Sequence, residues 1–202
     1  MSHSNVLIVG GGCAGIAVAS RINSLKSDLS ISIIEPSEKS LYQAAWTLVG
    51  AGAYDVGNTI KPMSEVMPGY VKWIKEYAEE FMPDSNSVKT NNGTYTYDYL
   101  VVCPGLKLNF DGVAGLKEHL GKNNVCTNYS AEMATYTWDC LKNLDGGTLL
   151  FTEPPMPIKC AGAPQKIAYL AADHLKKKGK LDDSHLEFLL SLIHISEPTR
   201  RR

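Results

Sequence analysis

The chain has 202 residues, 44% hydrophobic and 20% charged, with a formal net charge of −1. That balance is ordinary for a globular protein with a sizeable core, and it supplies no electrostatic footprint for nucleic acid. The five cysteines (Cys13, Cys103, Cys126, Cys140 and Cys160) are odd in number, widely spaced and lack any C-x-x-C pair. They argue against a disulfide framework or a zinc site and fit a reducing compartment.

Val6 to Val9 is apolar, but no basic segment precedes it, so it reads as a first strand in place of a secretory signal. No apolar run is long enough to span a bilayer, and any membrane contact of this segment is expected to be peripheral.

The strand Asn5 to Val9 ends at Gly10-Gly11-Gly12-Cys13-Ala14-Gly15, a G-x-G-x-x-G pattern at Gly10, Gly12 and Gly15. An apolar helical run follows at Ile16, Ala17, Ala19, Ile22 and Leu25, then a second strand, Ile31 to Ile34, ending in Glu35. The three glycines have separate tasks. Gly10 permits a tight turn, Gly12 lets the backbone approach a pyrophosphate, and Gly15 allows close helix–strand packing. The helix N-terminus offers unpaired N–H groups to phosphate. Glu35 lies where a carboxylate would accept from ribose hydroxyls. Strand, glycines, helix, strand and acid in register predict a dinucleotide cradle; its position at the extreme N-terminus is typical of FAD enzymes, by analogy.

After Glu35 the chain becomes loop-like, with Pro36, Gly50, Gly52, Gly57, Pro62, Pro68 and Gly69. Val71 to Ala78 is rich in strand formers. Ser87 to Thr90, Asn92-Gly93 and Thr94 to Tyr97 predict a hairpin with a type I′ turn. Tyr99 to Cys103 is a further buried strand closing at Pro104-Gly105. The expected fold class is α/β: a Rossmann-like domain with a β-meander insertion over 1–110, then the start of a second Rossmann-like domain over 111–189.

That second domain opens with a buried strand, Thr148 to Thr152, after which a nicotinamide-binding relative would need another glycine cradle. The chain instead reads Glu153-Pro-Pro-Met-Pro-Ile-Lys-Cys160-Ala-Gly-Ala-Pro-Gln-Lys166, then a helix to about Lys178. Prolines remove amide donors where a phosphate nest needs them, which argues against NAD(P)H as reductant. Cys160, near a helix N-terminus with Lys159 and Lys166 nearby in sequence, is expected to have a stabilised thiolate. Cys13, Cys103, Cys126 and Cys140 read as small packing residues. His119, His174 and His185 lack metal-ligand spacing, so no metal site is expected, and Lys176 to Lys178 reads as a solvated helix end. The stretch from Leu190 to Arg202 looks like the in-frame translation of a transposase-type sequencing adapter. It is expected to be a non-native tail (190–202), with truncation near Leu189.

Two segments carry a family resemblance. Glu35-Pro-Ser-Glu-Lys-Ser-Leu-Tyr-Gln-Ala-Ala-Trp-Thr-Leu-Val-Gly-Ala-Gly is similar to the post-strand segment of sulfide:quinone oxidoreductases of eukaryotic and related bacterial type. Pro157-Ile-Lys-Cys160-Ala-Gly-Ala-Pro-Gln-Lys166 resembles their redox-cysteine motif. The resemblance runs from Ser4 to Leu189. It implies FAD as cofactor, held by Gly10, Gly12, Cys13, Ala14 and Gly15, with Glu35 on the adenosine ribose, Gln43 near the cofactor, Ala78 beside the adenine and Gly105 retained. The family usually has Pro where this chain has Ala45, and often Ala-Thr-Gly or Ala-Leu-Gly where it has Cys103-Pro104-Gly105. For Tyr42 and Trp46, core packing competes with a cofactor role.

The resemblance further implies a reaction. Sulfide opens a link between Cys160 and a downstream cysteine, sulfur stays as a persulfide until a thiophilic acceptor removes it, and electrons pass through FAD to a membrane quinone. The expected location is peripheral on a bacterial cytoplasmic membrane, or on the mitochondrial inner membrane if the source is eukaryotic. Three rivals are set against this. A type II NADH:quinone oxidoreductase would need a glycine cradle after Phe151, and a disulfide reductase would need a cysteine pair within Tyr42 to Gly52. A non-catalytic FAD-binding module leaves Cys160 without a task.

Overall fold

A computed structural model describes residues 2–190. The chain divides into two compact units, one built from the N-terminus to residue 42 with 60–107, the other from 43–59 with residue 108 onward.

The first unit is organised by β1 (Ser2–Val9), which leads through a three-residue turn into α1 (Cys13–Leu25) and then β2 (Ile31–Ile34). β1 and β2 pair in parallel, with Val6 opposite Ile31 and Val9 opposite Ile34. A parallel pair joined by a helix must be covered on both faces, which explains the continuous apolar runs. Val6 and Ile8 point into one cluster with Ala19 of α1, Ile31, Ile33 and Val71. Leu7 and Val9 point to the other face, against Ile34, Ile74, Val88 and Tyr97. The buried Ser4 and Ser32 hydroxyls satisfy each other at 2.6 Å across the two strands. Polar groups at those positions therefore do not remain unpaired.

The insertion contributes β3 (Lys39–Leu41) and β4 (Ile60–Pro62), a short antiparallel pair. β5 (Val71–Ile74), β6 (Ala78–Met82), β7 (Ser87–Thr90) and β8 (Thr94–Val102) follow. Among the described residues the main sheet has six strands in the order β5-β2-β1-β8-β7-β6. β8 pairs in parallel with β1 and antiparallel with β7.

Three local expectations change here. The strand-forming run Val71 to Ala78 is split, because β5 and β6 lie on opposite edges of the sheet. In the gap, the Glu76 carboxylate accepts from the Thr90 hydroxyl and, at 2.9 Å, from the Tyr95 hydroxyl. The two strands expected at Thr94 to Tyr97 and Tyr99 to Cys103 are one continuous strand, β8. The hairpin turn is not type I′, since neither Asn92 nor Gly93 has a positive φ. The Thr90 hydroxyl oxygen instead accepts from the N–H groups of Asn92 and Gly93, at 3.4 and 3.0 Å. This side-chain hub replaces the left-handed backbone that a two-residue turn requires.

The second unit contains α2 (Trp46–Gly50), α3 (Ala131–Asn143), β9 (Gly147–Thr152), α4 (Gly162–Lys177) and β10 (Ser184–Leu189). β9 and β10 pair in parallel across the α4 crossover, a second βαβ unit. Leu141, Ile167 and Ala171 form its core with Trp138, Leu149 and Phe151. Trp46 and Val49 of α2 pack against Ala134 of α3. α3 begins at Ser130, whose hydroxyl accepts from the Met133 N–H, a serine N-cap with Glu132 in the first turn. Lys178, read in the sequence as a solvated helix end, has a more definite task. Its ammonium donates to the carbonyls of Lys142 and Leu144, at 3.1 and 2.6 Å, at the end of α3. The adapter-like tail from residue 191 onward lies outside the described residues.

Candidate functional site

In the first unit the glycine turn has the shape that its sequence predicts. Gly10 has φ of +104°, and a Cβ built there would lie 2.1 Å from the Cys103 carbonyl oxygen. A Cβ on Gly15 would lie 1.9 Å from the Gly10 carbonyl oxygen, so α1 can approach the turn this closely only without a side chain there. A Cβ on Gly12 meets nothing within 4 Å. Gly12, Cys13 and Ala14 are exposed, and α1 has no side-chain cap. The first-turn N–H groups of α1 are thus presented outward from a glycine-built turn, the arrangement that accepts a phosphate.

Glu35 stands against this turn. Its carboxylate accepts from the Gly11 N–H and the Ser37 N–H, both at 2.8 Å. One bond per oxygen leaves further acceptor capacity, so the group is oriented and can still accept from a hydroxyl. The turn also fixes the neighbouring chain, because Cys103 N–H donates to the Val9 carbonyl at 2.8 Å, two residues before Gly105, which has φ of +79°. Gly10, Gly12, Cys13, Ala14, Gly15, Glu35 and Gly105 therefore cluster about one end of β1. Ala78 opens β6 opposite Thr90 and packs on the cluster around Leu7 and Val9.

The second unit contains Gln43 and Cys160. Gln43 is exposed and starts a single helical turn, Gln43–Ala45. Cys160 lies in the loop between β9 and α4, at the carboxyl end of β9. In this βαβ unit that loop is topologically equivalent to the glycine turn between β1 and α1. The first connection is a tight glycine turn; the second is a longer loop with Pro154, Pro155 and Pro157. Strand ends of this kind are where open α/β sheets bind ligands. Here the position holds a half-buried thiol two residues before α4.

Tyr129 fixes that loop from the other side. Its hydroxyl donates to the Cys160 carbonyl at 2.9 Å. Burial, followed by the negative charges of Cys160 and Glu153, pushes the Tyr129 hydroxyl up to about 12. Next to it, Asn128 donates to the Thr47 hydroxyl at 2.8 Å, and Ser130 caps α3. One tripeptide thus joins α2, α3 and the cysteine loop. Sequence reasoning missed it; the available signal was the N-cap serine following two polar side chains. The folded state holds the Tyr129 proton more tightly than the unfolded chain does. The associated stability is present below the ordinary tyrosine value near 10 and is lost as pH rises through about 12. Tyr129→Phe is expected to cost about 1 kcal/mol at neutral pH through the lost hydrogen bond. It is also expected to reduce the fall in stability between pH 10 and 12. Urea unfolding across that range measures both effects.

The remaining singled-out residues divide clearly. Trp46 is core, 4% exposed, with its indole N–H donating to the Thr59 hydroxyl at 3.2 Å. Tyr42 is 53% exposed, so core packing is not its role. Cys13, read as a packing residue, is exposed because it opens α1 where the first-turn N–H groups face outward. The Lys159 ammonium lies 5.6 Å from the centre of the Trp46 ring, a cation–π distance. His174 packs edge-on against Trp138 with ring centres 5.0 Å apart. No group of three or more His, Cys, Asp or Glu side chains suited to a metal ion occurs among the described residues.

Residues 4–135 match the pyridine nucleotide-disulphide oxidoreductase family. The chain is 43% identical over 188 residues to "Sulfide:quinone oxidoreductase, mitochondrial" of Dictyostelium discoideum, covering 92% of this chain and 42% of the relative. It is 38% identical over 192 residues to the mouse protein of the same description, covering 95% and 43%. Its fold is similar to the crystal structure of the sulfide:quinone oxidoreductase of Aquifex aeolicus, with a TM-score of 0.76 and 29% identity over 94% of this chain and 43% of that one. The chain therefore spans less than half the length of these relatives. A βαβ glycine turn, a meander that returns to β1 and a second βαβ start accord with the family match: the chain belongs to the pyridine nucleotide-disulphide oxidoreductases.

Proposed function

We propose that the full-length protein carrying this chain is an FAD-dependent sulfide:quinone oxidoreductase in which Cys160 handles the sulfur. The observation that carries this reading is the position of Cys160. A thiol sits at the strand end where a nicotinamide-using relative needs a phosphate turn, in a loop whose prolines lack the donors for one. The relatives named as sulfide:quinone oxidoreductases, similar over more than nine-tenths of this chain, support it.

The residues present fit FAD. The N–H groups at the start of α1 would receive its pyrophosphate over the open side of Gly12, and Glu35 would accept from the adenosine ribose. Cys13 and Ala14 would line the same turn, and Ala78 and Gly105 of the same unit would complete the cofactor surroundings there. When bound, FAD supplies the two-electron redox chemistry that links sulfide to a quinone. The chain's own task is thiol chemistry. Cys160 is joined to a second cysteine of the full-length protein by a disulfide. Hydrosulfide attacks the Cys160 sulfur, a new S–S bond forms, and the partner sulfur leaves as a thiolate carrying the electron pair. Cys160 then holds a persulfide, which a thiophilic acceptor removes. Tyr129 holds the loop through the Cys160 carbonyl, so the thiol keeps its orientation through the exchange.

Peripheral attachment to a membrane supplies the quinone, with the bacterial cytoplasmic membrane favoured and the mitochondrial inner membrane the eukaryotic counterpart. Among the described residues no helix is long and apolar enough to cross a membrane. The test is anaerobic reduction. The full-length protein should be yellow and should bleach on addition of sulfide. Bleaching by NADH in preference to sulfide would move the assignment to a type II NADH:quinone oxidoreductase.

A further inference from the structure

Cys126 and Cys140 stand 14 positions apart and form no recognisable motif, yet the fold brings both to one cavity. Cys126 lies in the segment before α3, and Cys140 lies on the last turns of α3, on the face also occupied by Tyr136 one turn earlier. Both thiols are reduced and half-buried, and they line one cavity of about 390 Å³ with Tyr136, Thr137, Leu149 and Phe151. The cavity lies within the second unit. Thr137 and Cys140 neighbour Cys126 in that lining. Burial pushes the Cys126 thiol up; the Thr137 contact opposes this and the neighbouring Cys140 adds to it. The Tyr136 hydroxyl lies beside Cys140 and accepts from the Asn124 N–H at 3.2 Å. Two thiols on the lining of one space large enough for a small molecule are more than packing residues.

We propose that Cys126 and Cys140 form a second thiol site, separate from Cys160, which closes to a disulfide by exchange with a small organic disulfide entering this cavity. One thiolate attacks a sulfur of the organic disulfide; its S–S bond breaks, a mixed disulfide forms, and one small thiol leaves. The second cysteine, losing its proton, attacks the protein sulfur of that mixed disulfide and expels the other small thiol. Two protein thiols are oxidised, one organic disulfide is reduced to two thiols, and no further oxidant is needed. This chemistry does not depend on the role assigned to Cys160.

The full-length protein is incubated with glutathione disulfide, quenched in acid, alkylated and digested, and the peptides are read by mass spectrometry. A peptide linking Cys126 to Cys140 is expected to form at least about tenfold faster in the folded protein than in the same protein in urea, because the fold supplies the proximity. Cys126→Ser and Cys140→Ser should each stop at a glutathione mixed disulfide on the remaining thiol. Linkage no faster than in urea, linkage of either thiol to Cys160, or two thiols still alkylated after equilibration would overturn the proposal.

Discussion

Cys160→Ser is expected to leave the full-length protein yellow and unable to be reduced by sulfide. The reasoning starts from the bond that fixes the loop. Tyr129 donates to the backbone carbonyl of residue 160, not to its side chain, so serine retains the anchor and the loop keeps its course. The residues expected to hold FAD at the glycine turn belong to the other compact unit and are untouched by the substitution. What is lost is the sulfur. A serine hydroxyl cannot enter a disulfide or store sulfur as a persulfide, and its oxygen is a far weaker nucleophile at neutral pH. Removing the nucleophile of a covalent mechanism should lower the rate of sulfide-driven flavin bleaching by roughly a thousandfold or more. Stopped-flow absorbance under anaerobic conditions reads this directly, and the ratio of flavin to protein confirms that the cofactor remains. Bleaching at the wild-type rate would end the role given to Cys160.

The parts of this molecule that were legible in the sequence rest on local chemistry. The first βαβ unit could be read because Val6 to Val9, Gly10 and Gly15 each have a single reason for their type. Strand residues are buried on both faces, Gly10 has a positive φ, and Gly15 permits a contact that no side chain allows. The Cys160 loop was visible for the same reason, through prolines that remove donors. What stayed hidden depends on which side chains the folded backbone brings together, near or far in sequence. Asn92-Gly93 signals a type I′ turn, but the Thr90 side chain was in reach to satisfy the same N–H groups in another way. The Tyr129 anchor spans 31 positions to Cys160, and no periodicity marks it. Cys126 and Cys140 looked like isolated packing residues because their proximity arises only when the segment before α3 folds back along that helix. The exposure of Cys13 was readable in principle, since a helix start expected to receive a phosphate cannot also be core.

Two glycine substitutions should separate folding from cofactor binding at the turn. Gly15→Ala places a methyl group 1.9 Å from the Gly10 carbonyl oxygen and 3.3 Å from the Ile8 side chain. The nearer obstacle is backbone, which no rotamer change can relieve, so α1 must withdraw from β1 and the sheet must adjust. Overpacking of this kind should cost about 3 kcal/mol in urea unfolding of the protein stripped of flavin. Gly12→Ala is different. Gly12 has φ of −73° and ψ of −170°, which alanine adopts without strain, and its added methyl meets nothing within 4 Å. Replacing glycine by alanine at a helix N-cap should cost less than about 1 kcal/mol of stability. The methyl would project, however, into the space through which a pyrophosphate must approach the backbone. FAD affinity, followed by quenching of flavin fluorescence, should fall at least about tenfold, a loss of about 1.4 kcal/mol. Tight FAD binding by Gly12→Ala would mean that the dinucleotide does not cross this turn, and unimpaired stability of Gly15→Ala would mean that helix and strand are not locked together there.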